Sequence, residues 1–255
     1  MRTMAIRFFL LVSIGLLILP VQRSLNASPQ DSPRKIAFVV GVSEYHKDGL
    51  TNLKYAHKDA NDLAAELEKH EFEVTKLIGD DATYKNVQSE LNRFIRTTTE
   101  LRKEDVVLVS FSGHGVQKFV EQDEQLIEVP FFCVCDTLVN DPGTMISLNE
   151  VLRQLKLKSG CSSNLMIVDA CRNNPDKGAR TLDGSTVKEL PTKISMLFSS
   201  SPGQKSFESE KVKQGVFTHV LLQGCVAQRK TVGARFVGAH WQFMSRKKFP
   251  WRSMN

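Results

Sequence analysis

A succession of short apolar runs, separated by segments of helical periodicity, constrains this chain more than any other feature. Ile36 to Val42 carries no polar side chain. A strand with one wet face alternates apolar and polar residues, so an unbroken run marks a strand buried on both faces. From Leu53 to His70 the apolar residues Leu53, Ala56, Ala60, Leu63, Ala64 and Leu67 recur at helical spacing. Phe72 to Ile78 alternates as a strand and ends at Gly79-Asp80-Asp81, and Thr83 to Leu101 reads as a second helix with Val87, Leu91, Phe94 and Ile95 on one face. Val106 to Phe111 is another buried strand, stopping at Ser112-Gly113-His114-Gly115. Leu126 to Val134 reads as extended, a hairpin arm or an edge strand. Ser147 to Leu157 is helical and opens on a capping-box pattern, Ser147 with Glu150. Leu165 to Val168 is a strand leading into Asp169-Ala170-Cys171, Ile194 to Phe198 is a further strand, and Val216 to Leu222 begins a last helix. Strands alternating with helices imply an α/β fold, a mostly parallel central sheet flanked by helices. Sites in such sheets lie beyond the carboxyl ends of the strands. The chain has no internal repeat and no nucleotide-binding glycine loop.

The ends differ from this middle. Arg2 and Arg7 precede an apolar stretch, Phe8 to Val21, of 14 residues, short of the about 20 that span a bilayer. A basic start, a short apolar core and then Asn26-Ala27-Ser28 read as a secretory signal peptide over residues 1–27, with an uncleaved anchor as the alternative. Either puts the domain outside the cytoplasm, secreted or periplasmic, with no membrane contact after signal cleavage. Residues 28–34 read as a linker and 35–224 as one domain. The formal charge of +6 originates in residues 225–255, an atypical tail with seven Lys or Arg and no acid. Basic tails can bind nucleic acid or anionic surfaces, but no recognition motif accompanies this one. A solvated tail is therefore expected and a nucleic-acid partner is not, the aromatic residues Trp241, Phe243, Phe249 and Trp251 notwithstanding. Five cysteines, Cys133, Cys135, Cys161, Cys171 and Cys225, leave at least one thiol unpaired. Cys133 and Cys135 lack the further ligands of a zinc site. Core packing or a disulfide to Cys161 fits them better, and neither metal nor cofactor is expected.

Two strand ends carry reactive side chains. His114 lies between two glycines after one buried strand, and Cys171 follows another, 57 residues on. If these strands are neighbours, both side chains emerge at one edge. A free thiol has a pKa of about 8.5, and an adjacent imidazole stabilises the thiolate, then protonates a leaving amine. The backbone N–H groups of Gly115 and Cys171 are candidates for an oxyanion hole. Either residue alone is more often incidental, a turn histidine or a buried small hydrophobe. Their joint placement at strand ends points to nucleophilic catalysis.

Phe111-Ser112-Gly113-His114-Gly115 and Asp169-Ala170-Cys171-Arg172-Asn173-Asn174-Pro175 resemble the two motifs of caspase-like cysteine peptidases, the second in the form found in bacterial and metacaspase-like members. The resemblance spans about residues 35–224. It implies a caspase–hemoglobinase fold and a catalytic His–Cys dyad, His114 and Cys171. Within the family, metacaspases cut after Arg or Lys and line that pocket with acids. Asp59 and Asp169 match the acidic positions, and Ser112 a polar wall residue. Two carboxylates favour a guanidinium or ammonium over a neutral side chain. The resemblance thus implies a peptide or protein substrate with a basic residue before the scissile bond, and Lys177 and Arg180 as points of self-cleavage. Asp59 as a solvated helix acid and Asp169 as a loop-fixing carboxylate are the plainer readings of the same residues. Arg172-Asn173-Asn174 departs from the His-Ser-Gly usual after the metacaspase cysteine, and the calcium-binding acids have no clear counterpart. The rival function is a catalytically inactive caspase-like binding module; a further rival is a peptidase of the same clan with another preference.

Overall fold

In a computed structural model that describes residues 32–47, 49–122, 124–170, 194–199 and 208–231, the apolar runs pair into one parallel sheet. Strands β1 (Lys35–Gly41), β2 (Glu73–Ile78), β3 (Val106–Gly113), β7 (Ser163–Ala170) and β8 (Ile194–Phe198) lie in the order β2-β1-β3-β7-β8. β1, β3 and β7, the most continuously apolar, are the inner strands; edges go to β2 and β8, which are only partly buried.

Side-chain alternation splits the core into two layers. Ala37, Val39, Leu108, Leu165 and Ile167 face the helices α1 (Ala56–Lys69) and α4 (Val216–Thr231). Phe38, Val40, Val107, Val109, Phe111, Met166 and Val168 face the opposite way, onto α2 (Tyr84–Thr98) and α3 (Leu148–Lys158). Phe38 has no exposed surface and meets Phe94 of α2 with ring centroids 5.5 Å apart. Burying one such ring is worth about 2–3 kcal/mol.

α1 approaches β1 closely. A Cβ on Gly41 would stand 2.4 Å from the Ala60 Cβ, so glycine is required where the helix crosses the end of the strand. The sequence suggested a start at Leu53, but the helix begins at Ala56. The backbone N–H groups of Lys54 and Tyr55 instead donate to the Glu208 carboxylate at 2.8–3.2 Å. Glu208 belongs to the two-residue strand β9 (Glu208–Ser209), which pairs antiparallel with β10 (Gln214–Gly215).

A second sheet was only half legible. β4 (Gly115–Gln122) and β5 (Gln125–Phe132) form a hairpin, extended by β6 (Ile146–Ser147). The stretch from Leu126 is indeed a hairpin arm; its partner, directly after His114, was not anticipated. The capping box on α3 is half formed. The Ser147 Oγ accepts the Glu150 N–H at 3.3 Å, while the Glu150 carboxylate turns to Arg153 and Gln154.

The disulfide suggested for Cys133 or Cys135 does not form. Cys133, Cys135 and Cys161 are buried free thiols. Cys133 and Cys135 follow the end of β5, where packing takes both inward, and burial pushes their thiols up to about 12 and about 11. Among the described residues no group of three or more His, Cys, Asp or Glu stands ready to hold a metal ion, and no helix is long and apolar enough to cross a membrane. α4 runs on to Thr231, through the position where the tail was expected to begin. The signal segment, Lys177, Arg180 and the aromatic residues of the tail lie outside the described residues.

Candidate active site

β3 and β7 are adjacent and parallel, in a register that pairs Ser112 with Asp169 and Gly113 with Ala170. His114 and Cys171 are each the next residue in the chain after the second of those pairs. Cys171 itself, and with it half of the expected oxyanion hole, lies outside the described residues. Gly115, the other half, is buried and opens β4.

His114 is held from several sides. Its Nε2 lies 2.8 Å from the Thr51 carbonyl oxygen. A carbonyl can only accept, so Nε2 carries the proton and Nδ1 keeps its lone pair in the neutral ring. The backbone N–H of His114 donates to the Tyr45 Oη at 2.7 Å, and that hydroxyl donates to the Val42 carbonyl at 3.2 Å. The Tyr45 ring packs on the imidazole with centroids 5.0 Å apart. A Cβ on Gly113 would stand 2.9 Å from the same hydroxyl, so Gly113 is what lets Tyr45 reach under the histidine. Burial pulls the His114 pKa below the usual imidazole value, against the Thr51 hydrogen bond and the Glu208 charge, which favour the charged ring.

Thr51 sits in a loop fixed by its neighbours. The Asn52 Oδ1 accepts the Tyr45 N–H at 3.0 Å, and the Leu53 N–H donates to the Ser43 carbonyl at 2.8 Å. Neither Thr51 nor Tyr45 carried a signal in the sequence, because one acts through its main chain and the other lies 69 residues from His114. Tyr45→Phe removes the acceptor of the His114 N–H. An unpaired buried amide costs about 1–3 kcal/mol. The expected result is a lower Tm, read by thermal unfolding.

The three residues expected to bind a basic side chain gather on the α1 and α4 face. Ser112 and Asp169 are register partners, so their side chains leave the sheet on the same side. They continue the rows Leu108-Ser110-Ser112 and Leu165-Ile167-Asp169. Gly41, the close-approach glycine, is the register partner of Ser112 on β1, and Ala60, the residue it admits, follows Asp59 on α1. Asp59 is 3% exposed, Ser112 5% and Asp169 7%, so Asp59 is no solvated helix acid. The Asp59 carboxylate accepts the Gly215 N–H at 3.0 and 3.2 Å, and the Asp169 Oδ2 accepts the Thr218 hydroxyl at 2.8 Å. Burial, reinforced by the Asp169 charge, raises the Asp59 pKa to about 7, against the Gly215 hydrogen bond and Lys58.

Solved structures show where this fold recurs. A protein from Geobacter sulfurreducens superposes with a TM-score of 0.56 at 20% identity, over 78% of this chain and 83% of its own. Caspase-1 from Spodoptera frugiperda superposes with a TM-score of 0.52 at 19% identity, over 78% of this chain and 69% of its own. At such identities the likeness is one of fold. No curated protein matches the sequence. The caspase domain family model matches residues 34–241, from the first strand through the last helix. The chain therefore belongs to the caspase domain family, a family of cysteine peptidases with the mixed α/β fold seen here.

Proposed function

We propose that this protein is a cysteine endopeptidase that cuts after Arg or Lys, with Cys171 as nucleophile and His114 as its base. The observation that carries the reading is the pairing of Gly113 with Ala170 on adjacent parallel strands, with His114 and Cys171 next in the chain. The Thr51 carbonyl holds the Nε2 proton, so Nδ1 is the atom that takes the thiol proton. The thiolate then attacks the scissile carbonyl carbon. The imidazolium returns the proton to the leaving amine as the C–N bond breaks, and water hydrolyses the resulting thioester. The N–H groups of Gly115 and Cys171 are assigned to the oxyanion. Asp59, Asp169 and Ser112 receive the basic side chain, where buried carboxylates interact with a cation more strongly than they would in water. The N-terminal basic and apolar segment supports export of the domain.

Fluorogenic peptides ending in Arg, Lys, Asp or Asn, tested against wild type and Cys171→Ala, decide the matter. Turnover of the Arg and Lys peptides by wild type alone is the expected result. Equal signals from both proteins would leave the non-catalytic binding module, and preference for Asp or Asn would leave a peptidase of the same clan with another preference.

A further inference from the structure

The chain that closes over the acid pair is Gly215 with the first turn of α4, and it supplies a donor to each carboxylate. Gly215 gives its N–H to Asp59, and Thr218, 4% exposed, gives its hydroxyl to the Asp169 Oδ2. The position a Gly215 Cβ would occupy lies 2.6 Å from the Asp59 Oδ2 and 3.2 Å from the Asp169 Oδ2. Both oxygens therefore converge on one glycine, and any side chain there would displace them. The turn is anchored independently of the acids. The Gln214 Nε2 donates to Asp62 of α1 at 2.7 Å, and the Gln214 Oε1 lies 3.1 Å from the His219 Nδ1. A carboxylate rotates freely unless a donor fixes one oxygen. Here each plane is fixed by a donor from a braced turn.

We infer that Gly215 and Thr218 are specificity-determining positioning residues, which orient the Asp59 and Asp169 carboxylates for a planar guanidinium in preference to an ammonium. The inference rests on the basic-side-chain reading above and adds residues that touch no reacting atom. A guanidinium presents its donors in a rigid fork and rewards fixed acceptor planes. An ammonium is a point charge with rotating donors and is nearly indifferent to them. Losing the Thr218 hydroxyl should therefore penalise Arg and spare Lys, whereas a general loosening of the fold would penalise both.

The test measures binding of argininamide and of lysinamide by calorimetry in the full-length Cys171→Ala protein, with and without Thr218→Val or Thr218→Ser. The expected result is a parent that prefers argininamide, a valine variant with about tenfold weaker argininamide binding and lysinamide binding within about twofold, and a serine variant that behaves as the parent. In the active protein, the matching result for Thr218→Val is a raised KM for Arg peptides at unchanged kcat. Should Thr218→Val fail to fold, Thr218→Ala serves for the same comparison. Argininamide binding unchanged by losing the hydroxyl, or both ligands weakened alike, would overturn the role of the turn and leave the basic pocket standing. A parent that binds neither ligand would overturn the pocket reading, and this inference with it.

Discussion

Cys171→Ala is expected to leave no measurable peptidase activity, and His114→Ala to lower kcat on an Arg peptide by about 10³–10⁴-fold. The size follows from what each removes. Without the thiol there is no acyl-enzyme route. Without the imidazole the thiol must ionise from its unassisted pKa of about 8.5, and the amine must leave without a proton donor. The ring is fixed by Thr51 and Tyr45, so the alanine variant loses chemistry and a packing partner together. Stopped assays on both variants, with thermal unfolding as the control for folding, check this. His114→Ala activity within tenfold of wild type would show that the dyad is not the engine.

Asp59→Asn should lower kcat/KM on Arg peptides by about 10²–10³-fold. Losing one charge-assisted partner in a buried site removes about 3–4 kcal/mol, at 1.4 kcal/mol per factor of ten. The same residue predicts the pH dependence. Its folded pKa stands near 7, raised first by burial and then by Asp169, above the 3.8 of an ordinary aspartate. Over that interval the folded state holds a proton that the unfolded chain has released, so stability falls as pH rises from about 4 to 7. Asparagine does not titrate. The Tm difference between Asp59→Asn and wild type should therefore shift in the variant's favour between pH 5 and pH 8. In wild type, KM for Arg peptides should rise as pH drops below about 7, because a cation needs the ionised carboxylate. A flat KM profile across that range would remove Asp59 from the pocket.

The inner strands were readable because burial on both faces favours apolar residues along their middles, while the buried polar side chains Ser110, Ser112, Asn164 and Asp169 interrupt the pattern in β3 and β7. The hairpin arm β4 was not, because Gly115 to Gln122 mixes a buried Gln117 with an exposed Phe119 and follows no clean period. The start of α1 lies beyond Leu53 because long-range contacts hold the preceding residues as a loop: the Leu53 N–H goes to the Ser43 carbonyl, and the Lys54 and Tyr55 N–H groups go to a carboxylate more than 150 residues away.

The sequence by itself determined the α/β class, the inner strands and the two motifs that mark His114 and Cys171, since burial and local motif spacing are written residue by residue. The tertiary structure alone decided which strands are neighbours, that Ser112 stands beside Asp169, and that Thr51, Tyr45, Gly215 and Thr218 brace the groups around them. Those contacts join residues as much as 156 positions apart, often through main-chain atoms. Every amino acid carries the same main-chain N–H and C=O apart from proline, so no side-chain pattern announces which of them will meet.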